Sequence, residues 1–466
     1  MSESIITLAE VAGFIPGARL VGEGATPIAS VCTDARTAAE GSLFVGLKGE
    51  KFDGTDFAAQ AAGNGAAAAL VSREIPGLSI PQIVVPDTGR AFCESAAGWR
   101  RTFAIPVITV SGSNGKTTTT QMIASILRAA FGEEAMLATR GNFNNSVGVP
   151  ITLWRLRAGQ KAAVVEAGMS HPGEMAELAA MIRPTVALVN NAQREHQEFL
   201  SGVEATAVEN AFAIRALDAN GVAVYPADDA CAGIWKEAAG DRRTITFATT
   251  PGVEADVKAG VKSSPRGIAV KLETPEGTVE VEIGIGGLHN GHNAAAAASC
   301  ALAAGIPLAV IAKGLSSFCP VARRGVRHVL STGTLVIDDT YNANPDSMEA
   351  GIKVLVGCAA PRVLVAGDMG EVGLKGPEYH EEVGRFAARR GIEQLFCCGE
   401  LMQHTARAFG PAAQHFESLE ALEAAVLEAL PSLQGGTLLV KASNFMHFDR
   451  IVKAVLEADA KASQSH

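Results

Sequence analysis

Apolar and polar positions along the chain fall into short apolar blocks alternating with longer stretches of helical spacing. Pro106 leads into the block Val107–Val110, then a glycine turn, then a run in which Met122, Ile123, Ile126, Leu127 and Ala130 share one face before Gly132. That spacing predicts a strand over 107–110 and a helix that stops at the glycine. "KAAVVEAGM" predicts a second buried strand over 162–165, followed by a helix in "GEMAELAAMI", and "RPTVALVNN" a third strand over 185–189. Upstream, "SLFVGLKGEKFDGTDFAAQAAGNGAAAALVS" reads as strand, polar loop, Ala-rich helix and strand. From about 245 to 287 alternation and turn residues predict antiparallel strands appended to the sheet, and an Ala-rich helix follows over 294–304. Beyond 320 the blocks "PRVLVAGDM", "QLFCCG" and "TLLVKAS" predict three more buried strands between helices. Short apolar strands alternating with helices imply an α/β protein built on parallel sheets. Breaks in the pattern divide it into 1–105, 106–319 and 320–466.

Composition narrows the class. At 466 residues and 48% hydrophobic, the chain is long enough for two or three cores. A net charge of −10 argues against non-specific binding to nucleic acid or anionic membrane, but an anionic small molecule in a local basic pocket remains open. Eight cysteines are scattered with no CxxC pair, the pattern of reduced thiols in a cytosolic protein. The first residues, "MSESIITLAEVAGF", have no basic start and no long apolar core, and no stretch reads as a membrane span. A cytoplasmic protein is expected.

The candidate chemistry centres on "VITVSGSNGKTTTT", Val107–Thr120. A strand, a tight glycine loop and a helix N-terminus together form a cradle for an anionic group, with a lysine for terminal phosphates and a hydroxyl for a cation. Gly112, Ser113, Asn114, Gly115, Lys116, Thr117 and Thr118 supply those parts. The usual pattern has four residues between its glycines and this one has two, so a working site, a degenerate one and a plain glycine turn all stand at this point. Four consecutive threonines, poor helix formers, weigh against the plain turn. Ligands of open α/β sheets bind at the carboxyl ends of strands, which places Glu166 and His196 beside the loop. Hydroxyl, carboxylate and imidazole together suit one or two divalent ions bound to ATP. A nucleotide-gated switch or a small-molecule kinase would use the same parts.

The short loop form, with "GNFNNSVGVPITL", "VVEAGMSHPGEM", "GLHNGHNAAAA", "DDTYNANP" and "VLVAGDMGEVG", resembles the Mur ligase family of ATP-dependent amide-bond ligases. Within it, the resemblance is to the branch that adds D-alanyl-D-alanine to UDP-N-acetylmuramoyl-tripeptide. The resemblance implies an N-terminal domain for the UDP-sugar, a central ATP-binding domain and a C-terminal Rossmann-like domain that closes over it. It implies Mg2+ as the cation, an acyl phosphate intermediate, and a monomer. By position it assigns Lys116 to the β/γ-phosphates, and Thr117, Glu166 and His196 to magnesium. Asn290 and Asn293 fall on the adenine side, Arg324 at the γ-phosphate and Asp338 near the ribose. Thr33, Asp34 and Arg36 would lie near the UDP group, and Asn142, Asn144 and Asn145 near the muramoyl group. Tyr341, Asn342 and Asn344 of the "DDTYNANP" block complete the substrate set.

Two departures stand out. The family has a lysine some twelve to fifteen residues after the histidine, modified to a carbamate that reaches the second magnesium; here 192–214 contains no lysine. Asn210 sits in its place with Glu209 beside it, and Glu209 is the expected substitute ligand. The second departure is "KASNFMHF", where the family more often has Lys-Gly-Ser-Arg; Lys441 is kept and the arginine is not.

Overall fold

A computed structural model describes residues 4–264 and 266–464. Three sheets carry the architecture, with a two-stranded ribbon, Ile6–Thr7 against Pro27–Ile28, at the N-terminal edge. The first is five-stranded, in the order Arg19–Val21, Gln82–Val84, Ala68–Val71, Ser42–Val45, Ser30–Cys32, parallel except for its first strand.

The central sheet has nine strands. Val107–Ser111 lies between Ala162–Glu166 and Val186–Val189, all parallel, with Glu166 opposite Val110 and Val189 opposite Ser111. Three strand ends therefore open on one edge. Met136–Ala138 closes one side, while Val222–Pro226, Arg243–Ala248 and Val257–Ser264 extend the other in parallel. Only the last two pairings, of Gly267–Thr274 with Val257–Ser264 and with Gly277–Ile283, are antiparallel, so the expected antiparallel addition begins later than the alternation implied. The helix after the glycine loop spans Lys116–Phe131 and ends at Gly132, whose φ of 86° is cheap only for glycine. The Ala-rich helix begins a turn early, His289–Ala303, and Ala294–Ala298 are buried without exception.

The third sheet has six strands, ordered Val326–Val329, Leu335–Asp339, Thr437–Lys441, Arg362–Gly367, Gln394–Cys398 and Ala413–Phe416, with only its first pair antiparallel.

The seams between these units differ in character. The first sheet's helix Thr88–Arg101 shares one apolar core with the central sheet. There Trp99 stacks on Trp154 at 5.5 Å between ring centroids and 8° between planes, and Trp154 Nε1 donates to Ser95 Oγ. Arg100 donates across to the carbonyls of Ile182 and Arg183 at 2.9 and 3.1 Å. The seam between the central and third sheets is instead polar. Arg194 donates to Asp346 from its backbone N–H and its guanidinium, each at 2.8 Å, reaches Glu382 at 2.7 Å and lies over the Tyr379 ring at 5.3 Å. The Glu198 amide donates to the Glu371 carbonyl, and the Asn344 amide donates to Asn114 Oδ1 at 2.9 Å. Among the described residues no helix is long and apolar enough to cross a membrane.

Candidate functional site

The loop's glycines are required by geometry. Gly112 (φ 120°) and Gly115 (φ 81°) both lie in the left-handed region. A Cβ on Gly115 would sit 2.3 Å from Asn293 Oδ1, and one on Gly112 2.9 Å from the Asn190 amide nitrogen. The next strand end wraps the loop. Asn114 N–H donates to Asn191 Oδ1 at 2.8 Å, and the Asn190 and Asn191 side chains both donate to the Asn114 carbonyl. Gly112 N–H donates to Asn210 Oδ1 at 2.8 Å. Gly115 offers no side-chain cap, so the first-turn amides of Lys116–Phe131 face the cavity without an intrahelical acceptor.

Lys116 Nζ donates to the Gly112 and Ser113 carbonyls at 2.6 and 2.9 Å and is held by both oxygens of Glu195 at 3.0 and 3.2 Å. Thr117 Oγ1 donates to Glu166 Oε1, which also accepts from Asn144 at 2.8 Å. Glu166 is buried at the end of its strand, and its Oε2 has no partner among the described residues. That orphaned oxygen is an unmet demand for a cation or donor. His196 is held at φ 52°, with Nδ1 on Glu371 and Nε2 3.4 Å from Glu195 Oε1. Burial pulls its pKa down, but its hydrogen bonds to the Glu195 and then the Glu371 carboxylates outweigh this and raise it to about 9.

These groups line one cavity of roughly 1640 Å³, well beyond the few hundred to about 1,000 Å³ that suits a single small ligand. At its far end the helix His289–Ala303 presents Asn290 and Asn293. Asn293 Nδ2 donates to Asn290 Oδ1, and Asn190 Nδ2 donates to Asn293 Oδ1, tying this end to the loop. His289 lines this end with its side chain exposed to the cavity, and desolvation by the surrounding walls lowers its pKa to about 4.

From the third sheet come Arg324, Tyr341 and Asn342, with Arg324 over the Tyr341 ring at 4.0 Å. Its neighbour Arg323 is committed to the Thr340 carbonyl and hydroxyl, leaving Arg324 as the cavity-facing member of that pair. Asn144 and Asn145 line the same space, and Asn145 also caps the helix Gly148–Leu153. Asn344 caps the helix Pro345–Val356 and meets the loop through Asn114.

Several expected residues lie elsewhere. Thr33, Asp34 and Arg36 follow the strand Ser30–Cys32, in the N-terminal unit expected to take the UDP group, and do not line this cavity; Arg36 hydrogen bonds hold the Asp34 carboxyl down to about 2. Asn142 is exposed and does not line the cavity. Asp338 is turned away onto the Thr340 hydroxyl at 2.7 Å, and Asp339 faces the cavity, paired with Lys441 at 2.7 Å. The physical reason is the two-residue period of a strand. Glu209 is not at the loop at all. Its Oε1 accepts from the Gly173 and Met175 amides at 2.9 and 3.0 Å, capping the helix Glu174–Ile182, whose own Gly173 cap has no side chain. Sequence reasoning missed Glu195, Arg194, Glu371 and the loop role of Asn210. The visible signal was a pair of opposite charges, Arg194-Glu195, in a loop after a buried strand.

Comparison with known proteins agrees across the chain. Residues 110–301 match the Mur ligase middle domain, 324–444 the Mur ligase glutamate ligase domain, and 27–87 the Mur ligase family catalytic domain. The UDP-N-acetylmuramoyl-tripeptide–D-alanyl-D-alanine ligase of Escherichia coli is 35% identical over 97% of this chain and 98% of its own. The Bacillus subtilis protein of the same name is 33% identical over 93% of this chain and 94% of its own. A crystal structure of MurF from Acinetobacter baumannii superposes with a TM-score of 0.90 at 32% identity, covering 97% of this chain and 98% of that one. MurF from Thermotoga maritima, solved with ADP, shares the fold with a TM-score of 0.81 at 24% identity, covering 93% of this chain and 98% of that one.

Proposed function

The chain belongs to the Mur ligase family, and on that premise we propose that it joins D-alanyl-D-alanine to UDP-N-acetylmuramoyl-tripeptide. ATP is converted to ADP and phosphate by way of the carboxylate, and the product is the pentapeptide precursor of peptidoglycan. The observation that carries this reading is the single cavity in which Lys116, Thr117, Glu166 and His196 of the central unit meet Arg324 and Tyr341 of the third. High-coverage relatives of that name support the substrate pair. The ADP in the Thermotoga maritima relative supports ATP as phosphoryl donor.

A carboxylate is a poor electrophile, so the peptide's terminal carboxylate takes the γ-phosphoryl group and becomes an acyl phosphate. The amine of D-alanyl-D-alanine then attacks the acyl carbon, and the tetrahedral intermediate expels phosphate. The protein's part is positioning and charge neutralisation. First-turn amides of Lys116–Phe131 receive phosphate oxygens, Lys116 exchanges Glu195 for the β/γ-phosphates, and Arg324 swings from Tyr341 to the transferring group. Asn290 and Asn293 orient the adenine, and Asn144 and Asn145 the muramoyl end.

Thr117 and Glu166 fit Mg2+: they offer oxygen donors, and the unpartnered Glu166 Oε2 is buried beside them; His196 would join them only by giving up its proton and one of its two carboxylate contacts. Among the described residues no three acidic, His or Cys side chains converge tightly enough to hold an ion alone, as expected where phosphate oxygens complete the shell. The ion, when bound, neutralises charge on the phosphates. A cytoplasmic location is supported by eight free cysteines, and a monomer is the proposed state.

The test is phosphate release from ATP with UDP-N-acetylmuramoyl-tripeptide, with and without D-alanyl-D-alanine, and the product mass. Release that requires both substrates and yields the pentapeptide is expected. Release indifferent to the amine, or no product, would overturn the assignment.

A further inference from the structure

The ion pair between Lys116 and Glu195 raises a problem of charge that nucleotide binding must solve. Glu195 is buried, with its side chain 8% exposed, and both of its oxygens lie on the Lys116 ammonium. Its other cationic neighbour, His196, is shared with Glu371 of the third sheet. On the reading above, ATP draws Lys116 onto its phosphates. Glu195 is then a carboxylate in a dry pocket, stripped of its ammonium and facing several phosphate oxygens of like charge. Leaving one member of a buried pair uncompensated is strongly unfavourable, and a like-charge neighbour compounds the cost.

A divalent cation set between the carboxylate and the phosphates removes both penalties at once. Glu166 points independently to a cation in this cavity, because its Oε2 is buried and unpartnered. The two residues at the position of the missing lysine do not supply a further anionic ligand. Glu209 caps a helix through the Gly173 and Met175 amides, and Asn210 is uncharged with its Oδ1 on the Gly112 amide.

We propose that Glu195 is a carboxylate ligand of the divalent cation that accompanies the nucleotide, exchanging Lys116 for the metal when ATP enters. This rests on the nucleotide-site reading and extends it. Glu195 then supplies an anionic oxygen beside a stretch, 192–214, that contains no lysine.

The rival role is a counter-ion that merely competes with ATP for Lys116, and the two predict different results in Glu195→Gln. Free Mn2+ is measured by electron paramagnetic resonance in titrations of the protein saturated with the β,γ-methylene analogue of ATP. If Glu195 ligates the metal, E195Q raises the Mn2+ dissociation constant tenfold or more. Glu195→Asp, which keeps the charge but withdraws it by one methylene, raises it by a smaller factor. Glu209→Gln leaves it unchanged. Mn2+ affinity within twofold of wild type in both Glu195 variants, with tighter analogue binding in EDTA, overturns the proposal and leaves a competing counter-ion. These titrations need neither tripeptide nor amine. Failure of the wild-type protein to bind the analogue would overturn the nucleotide reading itself, whereas binding with unchanged Mn2+ affinity overturns only the role of Glu195.

Discussion

Replacing Arg194 by methionine removes the charge that joins the central and third sheets while keeping most of the apolar stem. Arg194 and Asp346 are 21% and 25% exposed and meet through several hydrogen bonds, whereas Glu382 is 38% exposed. Exposed pairs contribute about 0.2–1 kcal/mol and hydrogen bonds to charged groups about 1.5–3 kcal/mol. The Asp346 contact belongs near the lower end of the second range, the Glu382 contact within the first, and the Tyr379 face adds about 0.5 kcal/mol. Part of the loss is softened, because Asp346 sits in the first turn of Pro345–Val356, where the helix dipole favours an anion. The seam therefore loses about 2–3 kcal/mol, a factor of about 30–150 in the ratio of closed to open molecules. Small-angle scattering should show a larger radius of gyration for R194M than for wild type without nucleotide. Steady-state kinetics should show KM for ATP and for D-alanyl-D-alanine raised about tenfold or more, with less change in kcat. Raising salt on the wild-type protein should move it toward the variant, since a partly exposed charged seam is screened. Identical scattering and identical KM values would show that Arg194 does not hold the seam.

Other consequences follow from the same geometry. Gly115→Ala puts a Cβ against Asn293 Oδ1 at a left-handed φ and should abolish calorimetrically detectable ADP binding while the circular dichroism spectrum is retained; normal ADP affinity would contradict the loop geometry. Glu209→Ala should lower stability by about 1–2 kcal/mol in urea unfolding, through loss of a helix cap, and leave the Mg2+ requirement of the reaction unaltered. His289 is held neutral near 4 in the folded state and titrates near 6.5 when unfolded, so the unfolded chain binds the extra proton between those values. Stability should therefore fall as pH drops through that window, by less than a fully buried imidazole would give because the His289 side chain is exposed to the cavity, and urea midpoints of His289→Gln should fall less steeply. Equal slopes would place the acid sensitivity elsewhere.

What the sequence could reveal followed the range over which each signal acts. The strand, glycine loop and Lys116–Phe131 helix are local and periodic, and they were legible nearly to the residue. So was the placing of Glu166 and His196 at neighbouring strand ends. Side-chain direction was not. Glu209 and Asn210 are adjacent, but about 100° of helical rotation sends one to the Gly173 amide and the other to Gly112. Asp338 and Asp339 were exchanged for the same reason in a strand. The Arg194 contacts reach residues 152 and 188 positions away, so nothing local marks them. The His289–Ala303 helix is packed on all sides, and five buried alanines in a row carry no amphipathic period from which its start could be read.

The stacked pair Trp99 and Trp154 also bears on coupling efficiency. Because that seam is an apolar core, the units proposed to hold the sugar nucleotide and the ATP are expected to move as one body, with acceptor and phosphoryl donor in register before the third sheet docks. The unit held by charges and amides is the one expected to swing. The acyl phosphate is then exposed to water for as long as that swinging unit stays away. The number of amide bonds made per ATP consumed is therefore governed by the dwell time of the ionic seam rather than by the speed of phosphoryl transfer. An enzyme with an intact phosphate loop and a loosened seam would still burn ATP, but as a hydrolase.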